Sequence, residues 1–179
     1  MQTIEEALRD VHGALSAVGA NALIVGGLAV ARHGYARATA DIDLLMASDR
    51  SPELVRQLRD SGYTNIVRRD VVTRLCRPDG AWVVDVLPAD EVTFSTMWRR
   101  AETVILAECD FRIPAVEDLI AMKIFALTHD GESRGEKDLA DIAQLAALHR
   151  VDADTTLREL CRRYGTDAVY ERIRGALRP

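Results

Sequence analysis

Asp41 and Asp43 stand two residues apart in the run Asp41-Ile42-Asp43-Leu44-Leu45-Met46, where every other residue is apolar. Such a run reads as a strand, and strand residues two apart share a face. Two like charges held close together among apolar neighbours repel each other and lose hydration. A cation between them removes both penalties. An all-oxygen donor set selects Mg²⁺ or Mn²⁺, ions that bridge carboxylates to phosphate oxygens. An exposed strand edge with two solvated acids is the other reading. A third acid, Asp85, interrupts the apolar run Ala81-Trp82-Val83-Val84-Asp85-Val86-Leu87. Placed beside the first strand, it becomes a third metal-facing carboxylate and can take a proton from an attacking hydroxyl. Otherwise it caps a strand end.

Just upstream, Val25-Gly26-Gly27 falls at a predicted strand-to-helix junction. Without Cβ atoms the backbone can approach a ligand closely, and a helix N-terminus offers N–H groups to an anion. A tight turn with no ligand uses the same pair. No GxGxxG and no GxxxxGK[ST] loop is present. Arg37, on the loop before Asp41, can hold phosphate or decorate the surface. His33 reads as a structural residue of the same loop. Cys76, Cys109 and Cys161 are far apart and form no CxxC pair, which argues against a disulfide scaffold or structural zinc.

The elements that must position these groups follow from periodicity. Residues 3–18 form an amphipathic helix ended by Gly19; 22–25 form a short strand and 28–33 a short helix ended by Gly34. Strands are expected at 41–46, 65–69, 71–77 and 81–87, the third closed by a turn at 78–80 and the fourth stopped by Pro88. A helix opens at Ser51-Pro52-Glu53, and a last strand pair covers 103–107 and 110–113. From Pro114 the chain reads as helix, at 115–129, 134–149, 153–164 and 166–177. The expected fold is α+β: a small mixed sheet with helices packed on one side, residues 1–113, followed by a helical part, 114–179.

The 179 residues allow one domain with a helical appendage, and 48 % hydrophobic with 28 % charged residues is ordinary for a globular chain. A net charge of −5 excludes a strongly basic nucleic-acid coat. No apolar run reaches the roughly 20 residues of a membrane span, so no membrane partner is expected. The acidic, amphipathic N-terminus lacks the pattern of a signal peptide, and a cytoplasmic location is expected. All but two of the 23 basic residues are arginines; the lysines, Lys123 and Lys137, fall in one short stretch. Lys123 lies among Ile120, Met122, Ile124 and Phe125, where a lysine either snorkels or meets a buried anion. Arg134–Asp138 and Lys137–Asp141 have the spacing of helix-surface ion pairs, leaving Asp138 equally a structural or a functional residue. Residues 150–179 carry more bases than acids, a faint basic face usable for RNA or simply solvated.

Gly-Gly after an apolar residue, a spacer and Asp-x-Asp between apolar residues resemble the nucleotidyltransferase superfamily typified by DNA polymerase beta. Here Val25-Gly26-Gly27, residues 28–40 and Asp41-Ile42-Asp43 match, with Asp85 as that fold's separate third carboxylate. More narrowly, residues 33–45, 116–127 and 134–145 resemble the AbiEii-type toxin nucleotidyltransferases. The resemblance implies transfer of a nucleoside monophosphate from an NTP to a hydroxyl, with Asp41, Asp43 and Asp85 holding Mg²⁺ or Mn²⁺. It implies that Lys123 and Asp138 contribute to the nucleotide site, where Gly26, Gly27 and Arg37 are expected to meet phosphate. Three outcomes stay open: a toxin acting on tRNA or a protein and paired with a cognate antitoxin, an antibiotic nucleotidyltransferase of the aminoglycoside or lincosamide kind, and a non-catalytic nucleotide-binding antitoxin partner.

Overall fold

A computed structural model of the chain describes residues 2–69, 71–78, 80, 82–129 and 132–177, with the side chains of residues 65, 66 and 132–134 left out. Asp79 of the expected turn, Ala81 at the start of an expected strand and the Arg134 side chain lie outside the described residues. Contacts divide the chain into two compact units: Met1–Ala29 with Arg37–Ala115, and Val30–Ala36 with Val116–Pro179. The expected change of organisation at residue 114 falls at Val116, and Val30–Ala36 groups with the helical unit.

The first unit is built on a seven-stranded mixed sheet. Its strands are β1 (Leu23–Val25), β2 (Asp41–Ala47), β3 (Thr64–Arg69), β4 (Val72–Cys76), β5 (Val83–Ala89), β6 (Glu102–Leu106) and β7 (Cys109–Ile113), in the order β3-β4-β5-β2-β1-β7-β6. The pairs β2·β5 and β1·β7 are parallel and the others antiparallel. Helix α1 (Ile4–Val18) starts with a capping box: Thr3 Oγ1 accepts from the Glu6 N–H, and the Glu6 carboxylate accepts from the Thr3 N–H. Gly19, at φ 59°, closes it. Helix α2 (Gly26–Arg32) follows β1 directly, and α3 (Ser51–Asp60) follows β2 with Pro52 in its first turn.

Strand alternation sorts the sheet into two faces. Ile42, Leu44, Leu75, Val84 and Val86 are all buried to within 1 % and form the core under one face. Phe111 projects to that side, and its ring meets His12 of α1 at 5.6 Å. Its neighbour Arg112 points the other way and lays its guanidinium 4.3 Å over Trp98 of α4 (Glu91–Arg100). The mixed sheet is as expected; α4 adds a helix on the second face. That helix sits in a stretch with no clear periodicity. Asp90 starts it, its carboxylate accepting from both the N–H and the hydroxyl of Thr93.

Pro88 does not stop β5. The strand runs to Ala89 with Met46 opposite Pro88, and β4 pairs only as far as Val86. Beyond that point the missing N–H of Pro88 has no β4 partner to lose.

The second unit holds α5 (Val116–His129), α6 (Glu132–Leu148), a π-type turn at Ala153–Leu157, α7 (Arg158–Tyr164) and α8 (Asp167–Ala176). His33 is buried with its ring edge-on to that of His149 at 5.4 Å, and His149 Nε2 lies 2.8 Å from the His33 carbonyl. The C-terminal arginines are largely engaged within the unit. Arg158 and Arg174 cover the buried Tyr170 ring at 4.5 and 5.8 Å, and Arg162 forms a fork with Glu159. Among the described residues no helix is long and apolar enough to cross a membrane.

Candidate active site

One row of residues crosses four strands of the first unit. Val25 lies opposite Asp43, Asp43 opposite Asp85, and Asp85 opposite Arg74. Residues opposite each other in a ladder project to the same face, so Asp43, Asp85 and Arg74 share one side with Asp41, two residues before Asp43. Asp41 and Asp43 are half-buried, whereas Asp85 is 4 % exposed.

Asp85 has a partner that the sequence reading did not name. Arg74 Nε donates to its Oδ1 at 2.8 Å and Nη2 to its Oδ2 at 2.6 Å, a two-pronged, charge-assisted contact. The hydrogen bonding to Asp85 pushes the Arg74 pKa up beyond its ordinary value, and the charges of Asp85, Asp41 and Asp43 add to the effect. Among the described residues, no three His, Cys, Asp or Glu side chains come close enough to hold a metal ion. The expected meeting of three carboxylates is therefore not preassembled: Asp85 is turned onto Arg74. Hairpin geometry carried the missing signal. Folding β4 onto β5 across the turn sets Cys76 against Val83, and the same count sets Arg74 against Asp85.

The glycine pair shapes the other side of the site. Gly26 has φ 61°, and a Cβ there would overlap the Asp43 carboxylate. A Cβ on Gly27 would stand 2.6 Å from Thr39 Oγ1 and 3.1 Å from Arg37 Nη1. Both glycines thus admit groups of this chain. The seven-residue helix α2 begins at Gly26, so the pair sits at the strand-to-helix junction as read from the sequence. Arg37 lies over Gly27, donating from Nη1 to the Ala38 carbonyl at 3.2 Å.

In the helical unit Lys123 meets two anions, and both belong to the protein. Its Nζ lies 2.7 Å from Asp138 Oδ1 and 2.6 Å from Asp141 Oδ2. Lys123 is 6 % exposed and Asp141 fully buried. Asp141 is therefore not the surface partner of Lys137 that helix spacing suggested. It turns inward across α5 and α6, while Lys137 stays exposed. Cys161 is buried, and burial pushes its thiol up to about 11, which leaves it protonated and unreactive at neutral pH.

A family model described as nucleotidyl transferase AbiEii toxin, type IV TA system, matches residues 8–174. The chain belongs to the AbiEii nucleotidyltransferase family. It is accordingly an enzyme of the nucleotidyltransferase class. No curated protein matches it by sequence. Among solved structures it is similar to ANT(2")-Ia in complex with adenylyl-2"-tobramycin, at TM-score 0.66 and 17 % identity over 97 % of this chain and 98 % of that one. It is also similar to the lincomycin-bound lincosamide antibiotic adenylyltransferase LnuA, at TM-score 0.59 and 17 % identity over 83 % and 99 % of the two chains. A third is an antigenic nucleotidyltransferase-like protein from Paracoccidioides brasiliensis, at TM-score 0.57 and 15 % identity over 95 % and 91 %. At such identities these likenesses show the fold.

The chemistry of the donors present suits a hard divalent ion. Asp41 and Asp43 offer hard oxygen donors on one face, and the Gly26 hollow seats the Asp43 carboxylate.

Proposed function

We propose that this AbiEii-family enzyme transfers a nucleoside monophosphate from an NTP to a hydroxyl acceptor, the acceptor oxygen replacing pyrophosphate on the α-phosphorus, with Mg²⁺ or Mn²⁺ held by Asp41 and Asp43. The observation that carries this reading is the row Asp43–Asp85 with Asp41 on the same face, set against the Gly26 turn. When bound, the ion stabilises negative charge on the attacked phosphate and lowers the pKa of an acceptor hydroxyl. Gly26 holds the Asp43 carboxylate in place by leaving its space empty. Arg37, over Gly27, donates to phosphate oxygens of the NTP, a fork suited to that geometry. Asp85, beside Asp43 in the same row, completes the carboxylate set and takes the acceptor proton. Lys123 and Asp138 serve the nucleotide on the family resemblance, and Asp141 holds the ammonium in place.

The acceptor in this reading is tRNA or a protein, as for a toxin held in check by a cognate antitoxin. The family description of a toxin in a toxin–antitoxin system supports it. A second reading takes an aminoglycoside or lincosamide as acceptor, supported by the fold shared with ANT(2")-Ia and LnuA. Incubation with α-labelled NTPs and Mg²⁺, together with bulk tRNA, cell protein or antibiotic, separates the two. Label in macromolecular precipitate supports the toxin reading, and label on the antibiotic supports the second. No transfer to any acceptor contradicts both.

A further inference from the structure

Three features lie outside the roles assigned above: a polar cluster joining Gln2, Asp10, Tyr63 and Arg77, the Arg112–Trp98 stack, and Arg74. The first two tie the first unit together. Arg74 stands in the row of reacting groups. We propose that Arg74 is a positioning residue that keeps Asp85 out of the metal site in the nucleotide-free protein. The resting site then consists of Asp41 and Asp43 alone, and a divalent cation gains Asp85 only by displacing the guanidinium. The proposal rests on the reading of Asp41 and Asp43 as the metal-holding pair.

Four observations carry it. Both oxygens of Asp85 already accept from Arg74, at 2.8 and 2.6 Å, so each is committed to a cation. The contact is set by backbone register across β4 and β5, not by two mobile surface chains. The two ends differ in access: the Asp85 side chain is 5 % exposed and the Arg74 side chain 32 %, so an incoming anion can reach Arg74 while Asp85 stays sheltered. Two of the five guanidinium donors are used on Asp85, and the remaining donors suit phosphate oxygens. A triphosphate arriving at this face therefore offers Arg74 a replacement partner at the moment the metal arrives with it. Asp85 is never left as a bare buried charge during the exchange.

A merely structural role for Arg74 makes a different prediction. Removing a structural partner lowers metal affinity or leaves it unchanged; removing a competing cation raises it. Mn²⁺ binding to the nucleotide-free protein, followed by the electron paramagnetic resonance signal of the free ion, reads this directly. Arg74→Gln is expected to bind Mn²⁺ roughly tenfold tighter than wild type, as expected for loss of one charge-assisted competitor. The double variant Arg74→Gln/Asp85→Asn is expected to fall back to wild-type affinity, showing that the gain runs through Asp85. Arg74→Lys keeps a countercharge for Asp85 but loses the fork. It is expected to fold even if the glutamine variant does not, with an intermediate gain of about threefold.

Unchanged or weaker Mn²⁺ binding in Arg74→Lys, or in folded Arg74→Gln, overturns the proposal. So does a gain that survives Asp85→Asn. Asp43→Asn tests the underlying reading separately. If it leaves Mn²⁺ binding intact, the metal assignment fails whatever Arg74 does. If it removes binding while the Arg74 variants show no gain, only the role of Arg74 fails.

Discussion

The Asp43 carboxylate lies where any side chain on residue 26 would stand. Val25 is the register partner of Asp43, so the turn after β1 passes beside that carboxylate, and only glycine leaves room for it. A positive φ of 61° adds a second reason for glycine at the same position. The apolar-Gly-Gly and Asp-x-Asp segments, separated along the chain, are therefore two halves of one packing contact.

Gly26→Ala should damage both stability and chemistry. The strained backbone and the overlap with Asp43 together should cost about 1–3 kcal/mol. Displacement of Asp43 should lower transfer on the order of 100-fold. Gly13→Ala is the control. Gly13 sits in α1 with nothing within 4 Å of a new Cβ. It should be neutral or stabilising by about 0.5–1 kcal/mol. Thermal unfolding and a transfer assay on both variants check the pair.

Lys123→Met should be strongly destabilising, by about 3–5 kcal/mol, because it strands the fully buried Asp141 carboxylate beside Asp138. Asp141→Asn should lower the melting temperature more than Asp138→Asn, since Asp138 retains some access to water. Equal and small effects from all three substitutions would show that the contact contributes little. Chemical denaturation of the variants decides.

Tyr63 gives the protein an alkaline limit. Burial is the largest cause that pushes its phenol up to about 12, with the Asp10 charge adding to it. In the unfolded chain the phenol titrates near its ordinary value of about 10. The folded state therefore binds more protons between these values. The stabilisation is fully present below pH ~10 and is lost as pH rises towards 12. Spectrophotometric titration of phenolate should show a late ionisation step from Tyr63. Tyr63→Phe should remove that late step.

Most elements were legible in the sequence because their periodicities are local. The helices of the second unit repeat apolar residues at helical spacing, and β2 and β5 are short apolar runs interrupted by their acids. Helix α4 was not legible: Val92, Thr93, Phe94 and Thr96 are weak helix formers, and its start depends on the Asp90 cap. Asp141 was misplaced for a related reason. Lys137 is its neighbour at helical spacing, but burial and a lysine on another helix decide its direction. Arg74 was missed because its significance lies across a hairpin and not along the chain. The residues whose partners are local were readable, and those whose partners are brought by tertiary register were not.

The most direct test of the central claim is nucleotidyl transfer by Asp43→Asn, measured with α-labelled NTP, Mg²⁺ and whichever acceptor the wild-type enzyme labels. The substitution keeps the shape that fills the Gly26 hollow and removes the charge that holds the cation. Transfer should disappear while the melting temperature stays near that of wild type. A folded Asp43→Asn protein that transfers label at the wild-type rate would contradict the assignment of this row of carboxylates as the reacting centre.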